Sequence, residues 1–75
     1  MAKRVQLSQV TRAGILRAIA ESNDLGRDEF LAKYGFRRAG RFHLRYQGKS
    51  YDSKAILGVA FGYSTNSAPG KASEF

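Results

Sequence analysis

Apolar residues recur at helical spacing in three segments of this chain and alternate at strand spacing in a fourth. A first helix is predicted from about residue 11 to residue 22, with the hydroxyl of Thr11 as its N-cap. Its apolar stripe consists of Ile15, Leu16, Ile19 and Ala20. Arg12 and Arg17 fall off this stripe and are expected in solvent, and Gly14, early in the helix, has no evident functional need.

A short second helix is predicted from Arg27 to Tyr34, after a connector at residues 23 to 26. The two acidic residues of its first turn suit the positive end of the helix dipole. Its apolar face consists of Phe30, Leu31 and Tyr34. Gly35 is expected to end the helix in the left-handed conformation, with Phe36 as the hydrophobic contact beyond it.

The pattern then changes to alternation. The apolar residues are Phe42, Leu44 and Tyr46, and they alternate with the polar residues Arg41, His43 and Arg45. Successive side chains of a strand point to opposite faces, so one face is apolar and the other is cationic. Gln47-Gly48 predicts a two-residue hairpin turn. The resulting register pairs Tyr46 with Lys49, Leu44 with Tyr51, and His43 with Asp52 on the outer side. Because two strands alone are marginal, the apolar face must pack on helices.

A third helix is predicted from Ser53 to about Tyr63, with Asp52 as its cap. Its apolar positions are Ile56, Val59, Ala60 and Tyr63. The chain therefore predicts an α+β fold: a small single domain with two N-terminal helices, a β-hairpin and a third helix packed on it (ααββα).

Three regions follow from this pattern. Residues 11 to 63 are expected to form the folded domain, and residues 1 to 10 a flexible basic arm. Residues 64 to 75 have the composition of a linker or tail, since small and polar side chains surround Pro69-Gly70.

Composition narrows the function classes. The chain has no cysteine, which excludes a disulfide framework and a thiolate zinc site. Its one histidine cannot build a multi-His metal site, so neither a metal nor a cofactor is expected. No apolar run approaches transmembrane length, and a soluble cytoplasmic protein without a membrane partner is expected.

The charge is both large and uneven. The net charge is +7, and six basic residues lie between residues 37 and 54: Arg37, Arg38, Arg41, Arg45, Lys49 and Lys54. Four of the six acidic residues lie between Glu21 and Glu29, so the chain is expected to be electrically lopsided, with the acidic window facing away from nucleic acid. Nucleic-acid binding is the leading interpretation. A cationic surface that is merely solvated is the alternative.

The candidate DNA-binding residues are Arg37, Arg38, Arg41, His43, Arg45, Tyr46, Lys49, Ser53 and Lys54. The main group is the cationic face of the hairpin, which we expect to contain Arg41, His43, Arg45 and Lys49. Such side chains neutralise phosphates, and guanidinium groups also contact guanine edges. Lys54 and Ser53 suit a phosphate at the start of the third helix, and Tyr46 suits stacking on a base. The alternatives are a solvated strand face and a Lys54 stem lying over Tyr51.

No catalytic residue is expected. His43 and Asp52 form a predicted cross-strand pair, but no nucleophile or second base accompanies them, and the chain has no HNH or metal motif. A hydrogen bond between this pair, or a phosphate contact by His43, is the favoured interpretation.

Two segments carry a resemblance to a known family: LGRDEFLAKYGF at residues 25 to 36 and YDSKAILGVAFGY at residues 51 to 63. With the basic hairpin between them, they resemble the N-terminal head domain of ScoMcrA-like type IV restriction endonucleases, over roughly residues 11 to 64. The most specific part combines the YGF turn with Gly48, Tyr51, Lys54, Ala55 and Ile56. Asp52 stands where related blocks commonly have proline.

The resemblance implies an accessory DNA-binding module of a bacterial, modification-dependent HNH endonuclease. Its partners would be double-stranded DNA, methylated or phosphorothioated, and further domains of the same parent chain that carry out cleavage. Two alternatives remain open. One is a dimerisation or structural head domain with weak DNA contact, whose partner is a second copy. The other is an RNA-binding module, for which a basic hairpin with tyrosines also suffices.

Overall fold

The structure, a computed structural model, describes residues 6 to 38 and 43 to 71. A short 3₁₀ helix at Leu7–Gln9 precedes five elements: α1 (Arg12–Leu25), α2 (Arg27–Tyr34), β1 (His43–Tyr46), β2 (Lys49–Asp52) and α3 (Ser53–Thr65). The two strands form an antiparallel hairpin. The predicted ααββα order is confirmed.

α1 is longer than its sequence predicts. The Thr11 hydroxyl accepts from the Gly14 amide at 3.0 Å, as expected for the N-cap. The helix then continues to Leu25, so the predicted connector at residues 23 to 26 shrinks to Gly26 alone. Asn23 is held in the last turns because its Oδ1 accepts a hydrogen bond from the Tyr51 hydroxyl at 3.0 Å. Gly26 joins the two helices with a φ of 88°, where a Cβ would be strained.

α1 packs most extensively against α3, and Gly14 makes this close approach possible. A Cβ built on Gly14 would lie 2.2 Å from the Ser64 Oγ and 2.8 Å from the Ala60 carbonyl oxygen. Gly14 is therefore required by packing, a role that the sequence does not indicate. The buried side of α1 consists of Gly14, Ala18, Ile19 and Ser22. Ala20, predicted to lie on the apolar stripe, is exposed.

α2 agrees with its prediction in both bounds. Gly35 ends it at a φ of 73°, and the Phe36 amide donates to the Leu31 carbonyl at 2.9 Å. Phe36 is buried, as expected of the contact beyond a left-handed cap. The largest fully buried side chains of the domain are Phe30, Ile56 and Val59, so α2 and α3 supply the centre of the core.

The hairpin docks on the helices through one face. The register is the predicted one, with Tyr46 opposite Lys49, Leu44 opposite Tyr51 and His43 opposite Asp52, and Arg45 is opposite Ser50. Gln47 and Gly48 have φ angles of 50° and 80°, as a type I′ turn requires. Tyr51 is buried and Leu44 is half-buried against the core. Phe42, predicted to join them, lies outside the described residues.

The described part of the C-terminal segment differs from a free linker. α3 extends to Thr65, beyond the predicted end near Tyr63, and Asn66 follows at a φ of 53°. Residues 67 to 70 then run back along α3, where the Gly70 amide donates to the Gly58 carbonyl at 2.9 Å. A Cβ on Gly58 would lie 2.7 Å from the Gly70 carbonyl oxygen, so a glycine in α3 admits this segment.

Candidate nucleic-acid interface

The outward face of the hairpin presents His43 and Arg45. Both side chains are exposed, while Leu44 and Tyr46 between them are half-buried. This alternation confirms that β1 has one apolar and one polar face. Ser50 lies opposite Arg45 and is also exposed, so a short hydroxyl stands beside the guanidinium on the same face. Arg41, predicted to extend this face, lies outside the described residues.

Lys49 does not belong to that face. It lies opposite Tyr46, and residues directly opposite each other in an antiparallel pair point to the same side of the sheet. Its exposed side chain is therefore on the side of Leu44 and Tyr46, at the end of the hairpin. This corrects the grouping of Lys49 with His43 and Arg45. Tyr46 itself packs partly against the core, which leaves only part of its ring for stacking.

Asp52 is not an outward partner for His43, as the sequence suggested. It is 5% exposed, and its two carboxylate oxygens accept hydrogen bonds from Arg27 Nε and Nη2, both at 2.8 Å. This bidentate hydrogen bonding raises the pKa of Arg27. Asp52 stands at the N-cap position of α3 as predicted, but its carboxylate accepts no capping hydrogen bond from the helix amides there. The ion pair joins α2 to the end of β2.

The start of α3 carries two further candidates. Lys54 is exposed in the first turn, and Ser53 is half-buried. The first turn of α3 contains no acidic side chain. Anions are stabilised at such a helix end by the dipole and the free amides, so a neighbouring lysine adds charge to a favourable position.

Arg37 and Arg38 differ from each other. Both are exposed, but Arg38 donates from Nε and Nη2 to Asp28 Oδ1 at 3.1 Å and 2.6 Å. Asp28 belongs to the acidic window, which is predicted to face away from nucleic acid. The Arg38–Asp28 pair therefore joins the acidic window to the basic segment that begins at Arg37. Glu21 joins the same window to the rest of the domain. The predicted separation of charge is wrong in this respect.

Glu21 binds three side chains from two other helices. Its Oε2 accepts from Lys33 Nζ and the Tyr34 hydroxyl, and its Oε1 from the Tyr63 hydroxyl, each at 2.6 Å. Burial of the carboxylate raises its pKa, but the three hydrogen bonds outweigh this and hold the pKa below its ordinary value. Arg17 lies over the Tyr63 ring, 4.3 Å from its centroid. We call this set the Glu21 cluster.

Sequence reasoning missed both the Glu21 cluster and Arg27. Asp52 is 25 residues from Arg27 along the chain, and Tyr63 is 42 residues from Glu21. No local spacing in the sequence indicates such distant pairs. A weak signal was present for Tyr63, because a tyrosine at a core position needs a partner for its hydroxyl.

Two further findings concern residues 6 to 38 and 43 to 71 alone. No three His, Cys, Asp or Glu side chains are grouped there in a way that would hold a metal ion. None of the helices in this part of the chain combines the length and the apolar character that a membrane crossing needs.

Comparison with known proteins identifies a family for this chain. The model of the family described as "ScoMcrA-like, N-terminal head domain" matches residues 8 to 75, which is nearly the whole chain. Neither the curated proteins nor the solved structures contain a significant match.

Proposed function

The chain belongs to the family of ScoMcrA-like N-terminal head domains, and we propose that it binds duplex DNA as an accessory module of a modification-dependent restriction endonuclease. The contact surface consists of the outward face of the hairpin and the start of α3. Cleavage is carried out by other domains of the parent protein, in the bacterial cytoplasm, and this module contributes no catalytic group. Its partner is double-stranded DNA, methylated or phosphorothioated.

One observation carries the proposal. Among the described residues, Arg45 and Lys54 are exposed and have no carboxylate partner. Arg27, Lys33 and Arg38, by contrast, are each paired with an acidic side chain. An unpaired cation keeps its full charge for a phosphate and has no internal ion pair to break on binding. Arg45 on the hairpin and Lys54 on α3 therefore keep their charge available for a polyanion.

Phosphate contacts supply affinity in this arrangement, and base contacts supply discrimination. Arg45, with Ser50 beside it, lies on the face that approaches the duplex. Lys54 and the α3 amides hold a neighbouring phosphate, with Ser53 at its edge. His43 adds a further donor or acceptor on the hairpin face. Arg37, which is exposed after α2, adds a further cation for the DNA backbone. Arg41 stays a prediction from the sequence, because it lies outside the described residues.

Removing both unpaired cations tests the surface directly. We expect Arg45→Ala with Lys54→Ala to weaken binding of a duplex by at least about tenfold, because two phosphate contacts are lost. Fluorescence anisotropy with a labelled duplex at fixed salt measures this. Arg12→Gln is the control, since Arg12 is exposed on α1 and removing it lowers the net charge by one, against two in the double variant, without touching the proposed surface. Equal affinity in the double variant and the control would remove the hairpin and α3 from the interface.

The salt dependence of binding tests the number of contacts. If about five phosphates are neutralised, the logarithm of the association constant falls against the logarithm of salt concentration with a slope of about −4 to −5. The double variant is expected to reduce this slope by about 2, one for each lost contact. Duplexes that are unmodified, methylated or phosphorothioated, with duplex RNA as a competitor, identify the preferred partner. A slope near zero would favour a dimerisation role, which sedimentation of the isolated chain would reveal.

A further inference from the structure

A cleft of about 330 Å³ lies between the α1–α2 corner and β2. Its walls are Ser22, Asn23, Gly26 and Arg27 on the helical side and Lys49, Ser50, Tyr51 and Asp52 on the strand side. Only Lys49 was among the residues that the sequence predicted for nucleic-acid contact. Ser50 is shared with the hairpin face that presents His43 and Arg45, so the cleft adjoins that face.

The strand side of the cleft is an open sheet edge. Within the described residues, β2 pairs only with β1. Paired residues of an antiparallel hairpin alternate between hydrogen-bonded and non-hydrogen-bonded positions. Tyr46 and Lys49 close the two-residue turn as a hydrogen-bonded pair, so Arg45 and Ser50 are a non-hydrogen-bonded pair. The Ser50 backbone N–H therefore points away from β1, toward the edge that the cleft borders.

The helical side offers donors without partners. Ser22 is 8% exposed, and its hydroxyl has no hydrogen-bond partner in the described part of the chain, although it lines the cleft. Arg27 uses Nε and Nη2 for Asp52, which leaves Nη1 for another acceptor. Gly26 precedes α2 without a side chain to cap its first amides. The exposed Lys49 ammonium stands across from them.

The acceptors of the cleft, in contrast, are occupied. Both Asp52 carboxylate oxygens accept from Arg27, and Asn23 Oδ1 accepts from the Tyr51 hydroxyl. Among the side chains that line the cleft, two cations face one carboxylate that is already paired, so the wall has a net charge of +1. A ligand that supplies acceptors and negative charge satisfies these groups, whereas a cation or a neutral donor does not.

From this arrangement we propose that the cleft binds a phosphate group of the nucleic acid. Ser22 and Lys49 are its donors, with Arg27 Nη1 as a third. The volume accommodates a phosphate with its attached sugar and is too small for a duplex, so the cleft takes one backbone phosphate beside the hairpin. This inference rests on the proposed function for the source of the phosphate, but the anion site itself rests on the cleft alone.

The anion site is tested first with inorganic phosphate. In ¹H–¹⁵N correlation spectra at constant ionic strength, phosphate but not chloride is expected to shift the amides of Ser22, Gly26, Arg27 and Ser50 in a saturable manner. The double variant Ser22→Ala with Lys49→Gln should abolish the saturation, while Arg12→Gln should retain it. Because Lys49 is exposed and Ser22→Ala removes an unpaired hydroxyl, both variants are expected to fold, and their thermal melts check this. Absence of the phosphate-specific shifts in the wild type would overturn the inference.

Duplex DNA then identifies the source of the phosphate. The cleft variant is expected to bind a duplex about fivefold or more weakly than Arg12→Gln, with a salt slope reduced by about 1. Equal affinity of the two variants would overturn the DNA assignment of the cleft while leaving the proposed function in place. If the wild type binds phosphate at the cleft but binds no duplex, the proposed function fails and the anion site stands. The two proposals therefore fail in different ways.

Discussion

Gly14→Ala is expected to destabilise the domain by about 1–3 kcal/mol, although helix propensity alone predicts a gain of about 1 kcal/mol. Overpacking lowers stability and the higher helix propensity of alanine raises it, so the sign of the measured stability change shows which effect is larger. The added Cβ would lie 2.2 Å from the Ser64 Oγ and 2.8 Å from the Ala60 carbonyl oxygen. The Ser64 side chain can rotate away, but the Ala60 carbonyl belongs to the backbone of α3. We therefore expect packing to dominate.

Urea denaturation measures the change in the free energy of unfolding. The midpoint temperature of thermal unfolding is expected to fall by about 4–8 °C for each kcal/mol lost in a domain of this size. Ala13→Gly is the control, because Ala13 is exposed one residue earlier in α1 and reports backbone propensity without the helix contact. It should cost about 1 kcal/mol. A Gly14→Ala variant as stable as the wild type would mean that α1 and α3 can separate slightly at little cost.

The parts of the fold that the sequence predicts depend on local signals. Gly35 marks the end of α2 because its left-handed conformation is strained for other residues, and the structure has it at a φ of 73°. Gln47-Gly48 likewise determines the hairpin turn, and the turn determines the register of every pair in the two strands. In both cases the residues that carry the signal are adjacent in sequence to the feature they determine.

The parts that the sequence does not predict depend on contacts between distant residues. Arg27 begins α2 and reaches Asp52 at the end of β2, and nothing in either neighbourhood indicates the partner. Gly14 appears as a weak helix residue until Ser64 is placed against it. The end of α1 was placed too early because Asn and Asp disfavour helices locally. Tyr51, far along the chain, holds Asn23 in the helix.

The error over Lys49 has a different origin. The predicted register places Lys49 opposite Tyr46, on the apolar side of the hairpin, whereas the prediction that it shares a face with Arg45 rests only on charge and closeness in sequence. Register decides which face a strand residue occupies, and charge does not. The register therefore places Lys49 away from the hairpin face. Lys49 lines the cleft beside Ser22, where its charge contributes to the proposed phosphate site.

The Glu21 cluster is expected to contribute a large part of the stability of the domain. At roughly 0.05–0.15 kcal/mol per residue, a chain of 75 residues is stable by about 4–11 kcal/mol. Hydrogen bonds to a charged group contribute about 1.5–3 kcal/mol each, and the exposed Lys33 pair much less. Glu21→Gln keeps one acceptor oxygen but cannot accept from both Tyr34 and Tyr63. We expect it to lower the free energy of unfolding by about 2 kcal/mol at pH 7.

The dependence on pH distinguishes this contribution from a general loss of packing. The Glu21 pKa is lowered in the folded protein, so its contribution is present above the unfolded pKa and is lost as the pH falls through the folded pKa. Burial and the bond to Glu21 raise the pKa of Tyr34 to about 12. The bond to Glu21, followed by burial, raises that of Tyr63 to about 12. These two contributions are present below pH 10 and are lost as the pH rises towards 12.

Wild type and Glu21→Gln are therefore expected to differ most between about pH 5 and pH 10, and to converge on both sides of this range. Urea denaturation across the pH range measures the difference. Asp24→Asn is the matched control, because Asp24 is exposed in the last turn of α1 and has no acceptor role among the described residues. Its difference from the wild type should be small, since a carboxylate near a helix C-terminus is slightly unfavourable. A difference for Glu21→Gln that is constant from pH 3 to pH 12 would show that the side chain acts through its shape alone, and the three hydrogen bonds would then contribute little to the stability of the folded domain.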